Sequence, residues 1–453
     1  MKKSFWYNLS TTQKIMLSFV LTILAGSILL ALPISTAEGR AVSYIDALFT
    51  ATTATCVTGL VTVPTVSTWS FFGQFVILLL IQTGGLGVIT IMSGLMISLH
   101  RKIGIGERML IQDAFNLNTL SGMVKFIKKV IIGTALVEGI GALLYMPVFV
   151  PEYGIAGIWI SIFNSISAFC NAGIDIISEN SLCGYALNPM VNVVTSILII
   201  LGGIGYIVWW DVIRVFKNFR TYKHRCLRHL SLHSKIALWT TGLLIMAGAA
   251  AFFIFEYNNP LTIKDYSLPG KIQASFFQSI TTRTAGFATI PQQNFTNASS
   301  IVAILLMFIG GSPVGTAGGV KTVTIAVLCA AAYATIKNKD EAVLFNRTIS
   351  KRAISKAVAV VSMSFVIMST STVLLAAVTA TDALDIVYEA VSATATVGLT
   401  RNLTSMLNLW GKWIMIITMY LGRIGPISLA IAFSTRKESE NSIKNPTEKI
   451  SVG

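Results

Sequence analysis

An all-α, membrane-spanning fold built from four copies of one unit is predicted by three observations. The chain of 453 residues is 54% hydrophobic and only 12% charged, and its mean hydropathy is +0.72. That balance places most of it against lipid or other membrane helices. Eight apolar runs, each long enough to cross a hydrocarbon core of ~30 Å, alternate with half-length apolar segments. Four glycine-centred segments recur at almost constant spacing, and repetition of this kind marks copies of one supersecondary unit.

The long apolar runs cover roughly residues 13–33, 70–98, 127–150, 189–213, 236–256, 298–335, 354–379 and 408–434. Between the members of each pair lies a shorter segment, at 43–55, 155–170, 271–283 and 382–395. These are too short to cross and too apolar for water, which suits re-entrant helices. The units are expected at 1–100, 101–214, 215–336 and 337–436, with a cytoplasmic tail at 437–453. The first run, behind Lys2 and Lys3, has signal-peptide character. Its place as the outer helix of repeat one argues against cleavage.

The half-length segments lead into Val57-Thr58-Gly59-Leu60, Asn171-Ala172-Gly173-Ile174, Thr284-Ala285-Gly286-Phe287 and Thr396-Val397-Gly398-Leu399. Their glycines stand 114, 113 and 112 residues apart. One such glycine would be read as helix packing; four in register, each after a half-length helix, point to extended strands around one axis. Glycine permits the backbone angles that turn successive carbonyls inward, and a ring of carbonyls replaces a cation's water shell. The expected architecture is eight spanning helices and four pore helices around a pseudo-fourfold central pore. Asp46 and Asp385 fall near pore-helix N-termini, where negative charge is favoured. A second motif follows in step: Gly84-Gly85-Leu86-Gly87, Gly202-Gly203-Ile204-Gly205, Gly310-Gly311-Ser312-Pro313 and Gly422-Arg423-Ile424-Gly425.

Charge orients the chain. Of 34 Lys and Arg, 26 lie in the N-terminus, the loops at 100–129, 214–235 and 337–356, and the tail. Alternating spans put all five on one side, which makes that side cytoplasmic. The net charge of +15 flanks spans rather than forming a basic face, so nucleic acid is not an expected partner. Cys56, Cys170, Cys183, Cys226 and Cys329 show no metal or disulfide spacing. An enzyme would need clustered His, Cys or carboxylates within the spans. The four histidines instead sit at or in the basic loops, and Glu138 is the conspicuous carboxylate inside a span.

The four-repeat plan with one glycine per filter resembles the Trk/Ktr/HKT superfamily of potassium transporters, most closely the membrane-subunit branch of bacterial Ktr uptake systems. The likeness covers the chain from its first helix to about residue 434. It implies potassium as the transported ion, held by the carbonyls of the sixteen residues quoted above, with sodium as a candidate co-ion or activator and no organic cofactor. In the HKT branch, sodium-selective members carry serine at the first filter glycine; here that position is Gly59. The resemblance also implies a homodimer in the cell membrane, termini cytoplasmic, on a cytosolic RCK-type ring of the KtrA or KtrC kind that binds ATP or ADP. The basic loops are the surfaces available to that ring, or to anionic membrane lipid.

The sixth run contains Gly310, Gly311, Ser312, Pro313, Gly315, Thr316, Gly318, Gly319 and Lys321 within 13 residues. Helix propensity costs of about 1 kcal/mol per glycine and about 3 for proline break a helix here. Non-helical backbone at membrane depth survives where it lines a cavity or is buried in protein. A phosphate-binding loop is the competing motif, but Val320 separates Gly319 from Lys321 and no strand precedes it. The resemblance identifies the segment as an intramembrane gate loop, and Arg423 as its neighbour in the permeation path. An arginine inside a spanning helix otherwise fixes packing. Lys321 reaches either the loop or cytoplasmic water. Arg283 and Arg401 flank filters and are candidates for carbonyl bonds, and Asn171 offers either scaffold bonds or an extra oxygen. A carrier with inverted repeats is the rival transport architecture; four units running the same way do not fit it.

Overall fold

The computed structural model describes residues 9–99, 104, 108, 109, 122–218 and 228–425. Lys2, Lys3, His100, Arg101, Lys102, Arg220, Lys223, His224, Arg225, Cys226 and everything from 426 through the 437–453 tail lie outside the described residues.

Repeat one runs from the outer helix α1 (Thr11–Leu30) through the pore helix α2 (Tyr44–Cys56) to an inner helix in two pieces, α3 (Phe71–Leu86) and α4 (Val88–Ser98). Repeat two has α5 (Met123–Tyr153), pore helix α6 (Ala156–Cys170), α7 (Pro189–Ile204) and α8 (Tyr206–Lys217). Repeat three has α9 (Leu232–Glu256), pore helix α10 (Leu268–Thr281), α11 (Asn297–Phe308) and α12 (Thr322–Ile336). A two-stranded antiparallel hairpin, β1 (Val343–Leu344) and β2 (Arg347–Thr348), precedes repeat four. That repeat contains α13 (Lys351–Val378), pore helix α14 (Ala383–Ala395) and α15 (Leu409–Ile424). The short helices begin and end close to the predicted half-length segments.

Local chemistry explains the starts. Ser10, Ser70, Asn188, Ser231, Thr296, Ser350 and Asn408 each accept a first-turn amide through the side chain. Such caps satisfy donors that a helix N-terminus leaves orphaned.

Burial then separates two classes of helix. In α2 every residue from Asp46 to Cys56 is buried, and α6, α10 and α14 are buried along most of their length. The long outer helices bury only a stripe, leaving Leu143, Trp239, Leu243, Phe365 and Val373 exposed. An apolar exterior around a core of short helices is the arrangement a bilayer demands.

Two predicted spans need correction. The runs at 70–98 and 189–213 are not continuous: α3 meets α4, and α7 meets α8, at 99°. The breaks fall at Gly87 (φ 85°) and Gly205 (φ 92°), the last glycine of each inner-helix motif, where left-handed backbone ends a helix. Gly425 carries the same conformation at the end of α15. Among the described residues, four helices are long and apolar enough to cross alone, or six if each bent pair counts as one span.

The units close on themselves. The inner helix of each repeat packs on the pore helix of the next: α3 on α6, α7 on α10, α11 on α14, and α15 back on α2. At the closing seam the Lys412 ammonium lies 2.6 Å from Asp46 Oδ1, which also accepts the Thr62 hydroxyl at 2.7 Å. Asp46 therefore has a cation partner in addition to its place in a first helical turn. Both side chains are largely buried, so Lys412→Met is expected to cost about 2 kcal/mol by stranding the carboxylate. Thermal unfolding of the detergent-solubilised protein would show it, with Lys412→Arg near wild type.

Candidate ion-binding ring and intramembrane loop

Each pore helix delivers a filter strand through one sharp corner. In repeats one, two and four the corner residues Val57, Asn171 and Thr396 cap their helices in the left-handed conformation. Thr284 (φ 64°) adopts it in repeat three. Left-handed backbone costs a non-glycine residue roughly 1–2 kcal/mol, and its recurrence marks a conformation enforced by the surrounding frame. In repeats one, two and four the corner is sealed by paired backbone bonds. Thr58 donates to Thr53 O, Ala172 to Ser167 O and Val397 to Ser392 O, all at 2.8 Å. Each is joined by a bond of 3.2 Å from the preceding amide, to Ala54 O, Ala168 O and Ala393 O, which is the Schellman pattern.

Beyond the corner, pore-helix hydroxyls set the direction of the strand. The Gly59 amide donates to Thr53 Oγ1 at 2.9 Å, and the Gly398 amide to Ser392 Oγ at 3.1 Å. Across a trans peptide the preceding carbonyl points the opposite way, so Thr58 O and Val397 O are aimed at the ring. A Cβ built on Gly59 would meet Ala172 O at 2.5 Å, and one on Gly173 would meet Ala285 O at 2.6 Å. One on Gly286 would meet Val397 O at 2.5 Å, and one on Gly398 would collide with Thr58 O. The four glycines thus touch in the order of the chain and close the circle. All four have positive φ, between 65° and 98°.

Not every carbonyl of the predicted set faces the ring. Carbonyls of Thr58, Ala172, Ala285 and Val397 face neighbouring strands. Those of Ile174 and Phe287 instead accept the Ser167 hydroxyl at 2.5 Å and the Thr281 hydroxyl at 2.6 Å, so they turn toward pore helices. Leu60, Ile174, Phe287 and Leu399 bury their side chains. The Asn171 amide nitrogen, turned toward the scaffold, lies 3.2 Å from Ala168 O and 3.3 Å from Ile199 O, a scaffold role rather than an added ligand.

Below the ring, the segment between α11 and α12 is non-helical and folds back through a turn at Pro313 and Val314. Gly310 donates to Val320 O at 2.9 Å and Val320 to Phe308 O at 3.1 Å, joining the two arms. The Ser312 and Thr322 hydroxyls lie 2.9 Å apart. Ser312 and Thr316 amides donate to Gly203 O and Gly202 O at 2.8 and 3.1 Å, and Tyr206 N donates to Val314 O at 3.0 Å. The Thr316 hydroxyl reaches Phe169 O at 3.0 Å. The loop's polar backbone is therefore spent on repeat two, as burial at membrane depth requires. Gly318 packs on Thr396 and Ala395 with no space for a Cβ, so the loop sits directly against the corner of repeat four. A cavity of about 530 Å³ opens beside it, lined by Gly87, Gly315, Lys321, Lys356 and Arg423 among others.

The cations flanking this loop have defined partners. Arg423 donates to Thr316 O at 2.7 Å and to Gly84 O at 2.5 Å, bridging the loop and the end of α3. Lys321 reaches back to its own loop, donating to Ala317 O at 2.5 Å, rather than out to solvent. Arg283, buried, donates to Gly310 O at 3.2 Å and Thr241 O at 3.3 Å. Arg401 lies above the ring and binds Asp385 at 2.6 Å, Ser300 at 2.7 Å and Gln292 O at 3.1 Å.

Two features escape sequence reading. Glu389 is fully buried in α14, its carboxylate taking the hydroxyls of Thr400 and Thr404 just beyond the fourth filter. The bracing hydroxyls do leave a trace, since Thr53, Ser167 and Ser392 each stand six residues before a filter glycine. Glu138 is also buried and accepts Gln82 at 3.1 Å. Cys56 and Cys170 are buried behind the corners.

A shell of long apolar helices around four short buried ones is the architecture of a multi-pass membrane protein. Residues 7–445 match the family model described as TrkH, cation transport protein, and the chain belongs to that family, one of ion transporters and not of enzymes. It is 39% identical to the Ktr system potassium uptake protein B of Bacillus subtilis, covering 99% of this chain and 98% of that one. It is 38% identical to the potassium/sodium uptake protein NtpJ of Enterococcus hirae, covering 100% and 99%. The crystal structure of the potassium transporter TrkH from Vibrio parahaemolyticus superposes with a TM-score of 0.74 at 15% identity, over 96% of this chain and 87% of that one, a likeness of fold.

Proposed function

We propose that the chain takes up potassium through the four-glycine ring, driven by the membrane potential, which is worth about 2.3 kcal/mol per charge per 100 mV. The observation that carries this reading is the closure of Gly59, Gly173, Gly286 and Gly398 on one another's strands. Four strands offering backbone oxygens replace a hydration shell without a charged ligand. One ring supplies fewer successive sites than a stack of rings, so selectivity is moderate and sodium acts as a permeant or activating ion. The names of the potassium and potassium/sodium uptake relatives support this cargo. The common sense of packing around the ring favours a pore over a carrier with inverted halves.

The non-helical 310–321 loop is the gate, with Arg423 and Lys321 placing positive charge beside the path. Each 100–120-residue unit is one repeat, and the basic loops face the cytoplasm. The term "Ktr system" in the relatives' names supports a soluble regulatory partner. We assign it as a nucleotide-binding ring beneath a homodimer.

The test is rubidium and sodium uptake in a potassium-uptake-deficient bacterium expressing wild type or Gly59→Ser, with and without a regulatory ring. Wild-type rubidium uptake and growth rescue are expected, with the serine shifting uptake toward sodium by about tenfold. Unchanged selectivity would place the filter elsewhere. Absence of wild-type uptake even with the ring would sink the potassium assignment.

A further inference from the structure

The third filter strand is supported differently from the other three. Position six before its glycine is Ile280; its pore-helix hydroxyl comes instead from Thr281, on Phe287 O, as Ser167 bonds Ile174 O in repeat two. Its pore helix ends without the paired corner bonds; Ala285 donates to Thr281 O at 3.0 Å instead. Support at this corner comes from the intramembrane loop. Gly318 N donates to Thr284 Oγ1 at 3.1 Å, and Arg283 Nη2 donates to Gly310 O at 3.2 Å. Gly310 lies on the loop's first arm and Gly318 on its second, and the arms are bonded to each other through Gly310 and Val320. Two consecutive residues of one strand thus hold both arms of the loop. Of the loop's hydrogen-bond partners described above, Gly202, Gly203, Phe169, Tyr206 and Arg423 belong to no filter strand; Thr396 of strand four meets the loop by packing on Gly318.

We propose that Thr284 and Arg283 are positioning residues that make the ion affinity of the ring depend on where the loop sits. With the loop seated, strand three is held from below and its Ala285 carbonyl keeps its place in the ring. A displaced loop takes away the Gly318 amide and the Gly310 carbonyl together, leaving the strand held by the Thr281 hydroxyl at Phe287 O, two residues past Ala285, and not at its corner. Coupling of this kind is reciprocal: ions that favour the braced ring favour the seated loop. The inference rests on the pore reading above and adds to it which strand senses the gate.

A gate independent of the filter changes the maximum uptake rate and leaves the half-saturating ion concentration alone. A coupled one moves both. Rubidium uptake is therefore measured against concentration for wild type, Thr284→Val, Thr284→Ser, Arg423→Gln and the Thr284→Val/Arg423→Gln double variant, at equal membrane levels. Arg423 touches the loop but no filter residue, and loss of its positive charge by itself favours cation entry, so a raised half-saturating concentration must pass through the loop. Arg423→Gln is expected to raise the half-saturating concentration about fivefold, the scale of one buried hydrogen bond. Thr284→Val is expected to do the same, Thr284→Ser to stay near wild type, and the double variant to go no further than either single one. Arg423→Gln with a changed maximum rate and wild-type half-saturation would overturn the inference, as would wild-type behaviour of Thr284→Val. Wild type that takes up no rubidium would instead remove the pore reading, and this inference with it.

Discussion

Gly173→Ala is expected to abolish cation uptake, by a hundredfold or more, while leaving the protein in the membrane. Two penalties coincide at this residue. Its φ of 65° lies where an L side chain costs roughly 1–2 kcal/mol. The added methyl would also sit 2.6 Å from Ala285 O and 2.7 Å from Gly286 Cα. Both obstacles are backbone atoms of the adjacent strand, so no rotamer change relieves them and the strand itself must move. Moving it withdraws a carbonyl from the ring, and ligand positions displaced by even half an ångström lose the fit that replaces hydration. Rubidium uptake checks the loss, and a surface-biotinylation or blotting control checks the protein level. Residual uptake above a tenth of wild type would mean that this glycine does not line the path.

Arg423→Gln is expected to raise maximum rubidium uptake about tenfold. The guanidinium bonds the Thr316 carbonyl on one side and the Gly84 carbonyl on the other, fixing the loop to repeat one. Hydrogen bonds from a charged donor at a buried site contribute about 1.5–3 kcal/mol, enough to hold a two-state loop almost wholly in one position. Glutamine removes the charge and shortens the reach. It also lifts a positive charge from beside the cavity, where it opposes an arriving cation. Concentration-dependent uptake, with protein levels matched, measures the change. Loss of uptake in a well-expressed variant would assign the arginine to conduction instead of restraint.

What could be read from the sequence follows from which conformations demand a particular residue. The filter glycines were visible because positive φ in a crowded ring admits little else, and the period gave four chances to see it. The loop was visible because five glycines and a proline cannot remain helical. The corners were not, because Val57, Thr284 and Thr396 adopt left-handed backbone under tertiary constraint, against their own preference. The 99° breaks at Gly87 and Gly205 fall inside glycine motifs the sequence displays, but a glycine cluster does not by itself fix the angle between two helices. Pairings across repeats, such as Lys412 with Asp46, 366 residues away, leave no local trace. The place of Arg401 after the fourth filter marks it as a scaffold candidate, but nothing local to Asp385 distinguishes a partner for it from a charge at a helix end. Glu389 was hidden by its position in a short helix whose composition is otherwise unremarkable.

The unequal support of the third strand has a consequence for symmetry. A ring assembled from four identical subunits must change all four walls at once, since any substitution appears in every copy. Here the four walls are separate stretches of one polypeptide, and their supports already differ: paired corner bonds on three sides and hydrogen bonds to the intramembrane loop on the fourth. The fourfold degeneracy of the ion's surroundings is therefore lifted. A single substitution alters one quadrant, and drift in one quadrant can be tolerated while the other three keep the aperture. One chain can in this way reserve three walls for rigidity and leave the fourth free to answer a signal.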